Sequence, residues 1–522
     1  METAEANLAR VRRDFNTAVS LDRIANRATW EKLIDLGPQW SRFSVLTSGN
    51  VFAKLTNAAI LRMVFTPVQE IIGTGLKQLP VVEQIAERAP REGYGFMWEA
   101  EKATITRAFT HGIKGSVDVL LHHQSDLDVE LGRPNFEAGT GEWAKAARVA
   151  GVPGRTHGFV KEPVKQSEFG RAEVQRGRWL ERQGMSADPT GKPMREQRQL
   201  AYDQDALRSI FLQNGAVTDF INSAIRNAEQ RNAEGRIKSP IKKIGAATFQ
   251  TFVPINKVPT NVIAESLGEY IFGLPLGIYK SGEVLYKGRK EMINEGAVKR
   301  SVADMAKRGA SHLTQNEADA VMRMLKKGSL GAAMVAIGYY NANRIGGFWQ
   351  SGEVRHREDV PSNNVRPPFK VPLISDPKGN ISDTAIHHPL VISMLFGTTI
   401  RRVQDAIDHA THKPNGKIYG IYQALKSIIQ EVPTLNEMIG MSKELEAPAG
   451  KSAASKWLAD RMVPTAVRQI AERMDRDAQG KTIKRNPKTF LQNLQNDIPV
   501  IRERLPKKPP SDMRYPNVPI PK

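Results

Sequence analysis

Residues 326–353 read KKGSLGAAMVAIGYYNANRIGGFWQSGE. Two lysines open the stretch, no charge interrupts it from Gly328 to Asn343, and Phe348 and Trp349 close it. In a chain that is one quarter charged, such a run is a buried core helix, a membrane segment or a ligand site. The 13 residues from Gly328 to Tyr340 would make a helix about 20 Å long at 1.5 Å per residue. That is short of the roughly 30 Å of bilayer hydrocarbon, so a lone span is excluded. Gly328, Gly331, Ala332 and Gly338 leave room for a second helix backbone, which makes them candidates for close helix packing.

The rest of the composition narrows the setting. The 522 residues hold 75 Lys+Arg against 55 Asp+Glu, a net charge of +20, and an excess of that size attracts nucleic acid or anionic lipid. With no cysteine, disulfides, thiolate metal sites and thiol nucleophiles are ruled out. METAEANLARVRRDFNTAVSL at residues 1–21 carries Glu2 and Glu5 and lacks the apolar stretch of a signal peptide. No run reaches the roughly 18 apolar residues of a spanning helix. A soluble protein is expected, with any membrane role resting on amphipathic or marginal segments.

Helical periodicity dominates. In DALRSIFLQNGAVTDFINSAIRNAEQ (205–230) one stripe collects Leu207, Ile210, Phe211, Val217, Ile221 and Ile225. Thr314 with Glu317 reads as a capping box before Val321, Met322 and Leu325. TAVRQIAERMDRDAQGK places Val467, Ile470 and Met474 on one face and stops at Gly480. Alternating patterns are scarce, and the best, FKVPLI at 369–374, is broken by Pro372. The expected fold is mainly α, an extended multi-segment helical protein with Pro/Gly-rich linkers. Its parts are a helical region 1–131, a basic loop-rich connector 132–200 with one helix-like piece around Phe169–Gly184, and a central helical region 201–350. A Pro-rich linker 351–385, a C-terminal helical region 386–505 and an extended Pro-rich tail 506–522 follow.

Motifs for chemistry are weak. EAPAGKS (446–452) ends like a phosphate loop but has Leu445 where the first glycine belongs. His122 and His123 are adjacent, about 100° apart on a helix, whereas a helical zinc pair needs i, i+4. His387-His388-Pro389 reads as the start of a helix, and His409 and His412 as an ordinary helix end. No catalytic constellation is visible, so an enzyme is not expected, and no cofactor is called for. Arg176 and Arg178 beside Trp179, then Lys242, Lys243 and later Arg485, are candidate polyanion contacts through phosphate neutralisation and stacking.

Two further segments are almost free of charge. Asn50–Pro80 is interrupted only by Lys54, Arg62, Glu70 and Lys77, and Ile244–Tyr279 only by Lys257, Glu265 and Glu269. Pro67, Pro254, Pro259 and Pro275 are expected to kink or end helices in them. On periodicity alone these segments read as core.

LTSGNVFAKLTNAAILRMVFTPVQEIIG, GVPGRTHGFVKEPVKQSEFGRA, FVPINKVPTNVIAESLGEY and MRMLKKGSLGAAMVAIGYYNANRIGGFWQSGE occur in this order, and PKTFLQNLQNDIPVIRERLP closes the series. The series resembles the large polyvalent protein-associated regions of tailed phages and prophages. The resemblance implies a phage-derived protein carried in the virion or injected with the DNA, and it brings no catalytic residue. Its partners would be phage DNA bound without sequence preference, other virion proteins, host envelope lipid and further copies of itself. It would sit in the virion and, after infection, in the host envelope or cytoplasm. In that setting Leu330, Met334, Ile337, Tyr339, Tyr340, Phe348 and Trp349 become candidate membrane contacts, and Lys326, Lys327 and Arg344 candidate contacts to anionic headgroups. Two other readings fit the same residues: a DNA-binding or packaging protein of a mobile element, and a structural fragment of a larger polyvalent protein whose enzymatic module is elsewhere.

Overall fold

The computed structural model describes residues 49–122, 125–131, 142–210, 257–295, 301–345 and 388–408, with shorter pieces between 349 and 506. This part is mainly α. Helix α1 is Gly49–Leu76 and α2 Pro80–Arg88, which starts with proline where its missing N–H costs nothing. Helix α3 (Trp98–Arg107) passes through a π turn, Ala108–Gly112, into α4 (Ile113–His122). The short α5 (Asp126–Glu130) has Ser125 and Asp128 as a capping box. Next come α6 (Glu142–Arg182) and α7 (Lys192–Leu200), the latter continued by a π segment, Ala201–Ala206, and α8 (Leu207–Ser209). Helix α9 (Lys257–Glu265) runs into a π segment, Ser266–Ile271, and is followed by α10 (Gly273–Asn294) and α11 (Val302–Ser311). Then come α12 (Gln315–Tyr340), a two-residue ladder of Trp349–Gln350 with Glu353–Val354, and α13 (Pro389–Asp408).

The stretch that opened the sequence reading is the C-terminal half of α12. Thr314 caps that helix, its hydroxyl accepting from the Glu317 N–H while Glu317 reaches back to the Thr314 N–H. Helix α12 is the hub of the fold, packing on α13, α10, the π segment 266–271, α1 and α2. Small residues set these distances. A Cβ at Gly328 would stand 2.0 Å from the Leu274 nitrogen, at Gly331 2.1 Å from the Tyr270 oxygen, and at Gly338 1.9 Å from the Met394 oxygen. Gly397 of α13 answers Gly338, its own Cβ position lying 2.0 Å from the Val335 oxygen. Ala332, beside them, is half-buried. Around this hub one apolar cluster joins Leu61, Tyr270, Leu330, Met334, Leu390 and Met394, and another joins Ile85, Val284, Ala310, Met322 and Leu325.

Over the described residues 142–200, the connector expected to be loop-rich outside a piece around Phe169–Gly184 is mostly helix. Glu142–Arg182 is one helix of 41 residues, about 60 Å long, and Lys192–Leu200 is another. Glycine and proline break a helix only when their costs go uncompensated, and here neighbouring helices compensate them. Pro163 cannot donate to the Phe159 carbonyl, and the Ser116 hydroxyl of α4 takes that carbonyl at 2.6 Å. A Cβ at Gly112 would meet the Pro163 Cα at 2.7 Å, and one at Gly158 the Val119 side chain at 2.6 Å. The helix stops at Gly184 (φ +71), where Met185 N–H bonds the Leu180 carbonyl at 2.9 Å and Gly184 N–H that of Glu181 at 3.0 Å. Pro67 lies inside the unbroken α1, and Pro259 and Pro275 lie in the first turns of α9 and α10. The stripe over 205–230, the 450–452 and 409–416 motifs and the tail lie outside the described residues, apart from the start of that stripe.

Several helices turn large apolar residues outward. On α1 they are Ile60, Val64, Val68 and Ile71, and along α3 and α4 Trp98, Ile105, Phe109, Ile113, Val117 and Leu121. Arg62, Gln69 and Glu70 of α1 point inward instead.

Gly331→Ala is expected to destabilise the protein by about 1–3 kcal/mol, because the added methyl forces the Tyr270 backbone away. Gly282→Ala, on the open side of α10 where nothing lies within 4 Å of the new atom, is expected to be stabilising by about 0.5–1 kcal/mol. Chemical denaturation of the two variants beside the wild type checks the pair.

Candidate functional site

The chemistry-bearing groups of the described chain gather inside it. Lys326, on the buried side of α12, donates to Glu70 of α1 at 2.7 Å and lies 2.8 Å from Glu92, after α2. Arg91 bonds Glu70 at 3.2 Å and pairs with Glu92 at 2.7 Å, Glu168 of α6 at 3.3 Å and Asp205 at 3.5 Å. Arg171 grips Glu101 with two nearly parallel bonds of 3.0 and 2.9 Å and also pairs with Glu168. Arg176 holds Asp205 at 3.0 Å and approaches Asp319 at 3.9 Å. Arg323 continues the chain of contacts from Glu92 at 3.9 Å to Glu269 at 3.1 Å. Glu269 and Glu265 share Lys327, at 2.8 and 2.5 Å, and pair further with Arg208 and Arg62 respectively.

The connected set contains eight carboxylates (Glu70, Glu92, Glu101, Glu168, Asp205, Glu265, Glu269, Asp319). It contains eight cations (Arg62, Arg91, Arg171, Arg176, Arg208, Arg323, Lys326, Lys327). It is therefore neutral when every group is ionised. Burial opposes charge throughout, and the neighbours decide the outcome group by group. Although burial works against it, Arg91, Lys326 and Arg323 hold the Glu92 carboxyl far below the usual range, and Arg208, Lys327 and Arg323 do the same for Glu269. Burial wins at Glu70, whose pKa is raised despite Lys326 and Arg91. It wins also at Asp319, pushed up to about 6 by burial and by the neighbouring Glu92 and Asp205 charges, against Arg176 and two backbone N–H donors, from Arg91 and Glu92 at 3.1 and 2.8 Å. A separate buried group joins Lys165, Asp128, Glu162 and the Tyr202 hydroxyl beside α5.

This placement overturns the envelope-facing reading of α12. Lys326 is 1% exposed and Lys327 8%, and both hold carboxylates of other helices where anionic headgroups were expected. Leu330 and Met334 are core residues, and Ile337 packs against the same cluster. The half-buried Tyr339 gives its hydroxyl to Gln404 of α13 at 2.7 Å, and Tyr340 alone of the described set stands open, 81% exposed. Arg344 is half-buried beside Asn341. Arg176 is sealed inside with Asp205, while Arg178 is exposed and shared between Glu99 and Glu181. Phe348, Lys242, Lys243 and Arg485 lie outside the described residues, as does the side chain of Trp349. His388 sits buried at the start of α13, its ring nitrogen accepting the Leu390 N–H, and burial pushes its pKa down to about 3.

Of the network, the sequence marks Arg176, Lys326 and Lys327, but as contacts to polyanions; other members carry a signal of their own. Arg62, Glu70, Glu265 and Glu269 are four of the seven charges in two long, otherwise uncharged segments. A charge isolated in an apolar helix needs a buried partner, and here the four find Lys326, Arg91, Lys327, Arg323 and one another. Among the described residues no group of three or more His, Asp or Glu is placed to hold a metal ion, and no helix is long and apolar enough to cross a membrane.

Lys326→Met strips Glu70 and Glu92 of one of the two cations they share and is expected to cost about 3–5 kcal/mol. Asp319 gives a pH-dependent test. Its folded pKa of about 6 exceeds the ordinary 3.8, so above about pH 6 the buried charge opposes folding in full, and that cost disappears as pH falls towards 4. Asp319→Asn keeps an oxygen for the two N–H donors. It is expected to be more stable than wild type by about 1–3 kcal/mol near pH 8, with the advantage shrinking between about pH 6 and 4, as thermal melts in that range would read.

Comparison of the chain with protein-family models, curated proteins and solved structures finds no match.

Proposed function

We propose that this chain is a non-enzymatic structural protein of a tailed-phage particle, of the internal or ejected kind, lying against the packaged DNA and travelling with it. The observation that carries the reading is the neutrality of the buried network. Eight cations and eight carboxylates cancel in the network, so the whole excess of +20 belongs to residues outside it. An excess left free in this way is suited to phosphate, and it gives affinity without sequence preference. The carboxylates that would serve general acid or base chemistry are held by guanidinium and ammonium partners, which suits a structural role. Outward apolar faces on α1 and along α3 and α4 supply adhesion to further copies or to other virion proteins. The ordered resemblance to phage polyvalent regions supplies the phage setting.

Two measurements test this. The full chain is expected to bind duplexes of unrelated sequence equally, with affinity falling about 1,000-fold or more between roughly 50 and 200 mM salt. A salt-insensitive or sequence-selective affinity would remove DNA as the partner. Mass spectrometry of purified particles from the encoding phage or induced prophage is expected to find its peptides. Presence in infected cells with absence from particles would overturn the virion assignment and favour a packaging protein or a fragment of a larger polypeptide.

A further inference from the structure

Helix α10 wears its sequence inside out. Gly273, Gly277, Ser281 and Gly288 are buried, and at Gly288 the helix comes so close to α11 that a Cβ would stand 1.8 Å from the Met305 oxygen. Val284 and Met292 are the bulky residues turned inward, whereas Phe272, Leu276, Tyr279, Tyr286 and Ile293 are all exposed, the two tyrosines by about two thirds. At 3.6 residues per turn these five share a stripe about 100° wide, running the roughly 33 Å length of the helix. Lys280 and Lys287 border it on one side and Arg289 on the other, with Lys290 inside it, all four exposed. The acid within the stripe, Glu283, is clamped at 2.8 Å by Lys280 and at 2.8 Å by Lys287. Four cations against one carboxylate leave the helix's own face at +3, and Glu317 of α12, near enough to Lys280 and Lys287 to feel both charges, offsets one of them. Of the acids further round and beyond the helix end, Glu291 meets His312 and Glu295 meets Arg308.

We propose that the outer face of α10 is a docking surface for an anionic lipid bilayer, lying in the plane of the headgroups. The stripe offers aliphatic and aromatic groups to the acyl boundary and cations to the phosphates, which is the division an interfacial helix needs. Duplex DNA offers no counterpart for Leu276 and Ile293. A second copy would bring its own positive charge against this one. The surface stands on this geometry alone and does not need the phage reading. It relocates membrane contact from α12, which is interior, to its neighbour.

The test is flotation of the full chain with phosphatidylcholine vesicles, with and without about one third phosphatidylglycerol, at low salt and after a wash near 1 M salt. Wild type is expected to float with the anionic vesicles and in part to survive the wash. Arg289→Glu with Lys290→Glu, which breaks no ion pair of the described chain, should lower low-salt partition at least about 25-fold, at roughly fivefold per lost cation. Leu276→Gln with Ile293→Gln should keep low-salt capture and lose the wash-resistant fraction. Circular dichroism of both variants controls for folding. Wild type that stays unfloated, or both variants floating like wild type, would overturn the proposal. Loss of duplex binding in Arg289→Glu/Lys290→Glu with vesicle capture unchanged would overturn it too, and assign the face to nucleic acid. Failure here leaves the particle composition result untouched, and the reverse holds.

Discussion

The ammonium of Lys326, fixed between Glu70 and Glu92, is the contact on which the rest of the fold depends. It ties α12 to α1 and to the turn after α2, and through Arg91 it reaches α6 and the segment before α8. None of these charges can leave water unless its partners leave with it, because an isolated buried ion costs several kcal/mol even after relaxation. The helices are therefore committed as a set. Net stabilisation from such a network is modest, since desolvation offsets most of the attraction. What it supplies is register: an α12 shifted by one residue would put Gly328 and Gly331 out of line with Leu274 and Tyr270 and would leave Glu70 with Arg91 as its one remaining cation.

Glycine and charge work together here. Close backbone approach at Gly328, Gly331, Gly338 and Gly288 makes helix contacts that need few large apolar side chains. The interior space so released is occupied by ion pairs, and the large residues of α1, α3, α4 and α10 are left on the outside. This departs from the usual allocation and explains why the described residues, among which no helix is long and apolar enough to cross a membrane, present so much aliphatic surface.

Much of the architecture was legible in local chemistry. Thr314 and Glu317 announce the start of α12, and Pro389 that of α13, because caps are made within one turn. The 142–200 region was largely misread because the rescue of its breakers is tertiary: the Phe159 carbonyl freed by Pro163 is taken by Ser116, 43 positions away. Lys326 and Lys327 looked like surface cations for the same reason. The carboxylate that claims Lys326 lies 256 residues earlier, and nothing in the spacing of a single chain reports that distance. Small residues in α12 told of close contact, and the partners of that contact, Tyr270, Leu274 and Met394, came only with the fold.

A core that mixes ion pairs with apolar clusters, beneath an exterior with much aliphatic surface, has a calorimetric consequence. Unfolding raises heat capacity in proportion to the apolar surface it exposes and lowers it with the polar surface, a balance that ordinarily leaves about 12–15 cal/mol/K per residue. Here part of the apolar surface is already wet in the folded state and part of what unfolding hydrates is ionic, so the balance falls below that range. Stability then varies weakly with temperature. The desolvation cost of the ion pairs also declines on heating. A polypeptide built in this way holds its shape by nearly the same margin in the cold as in the warm.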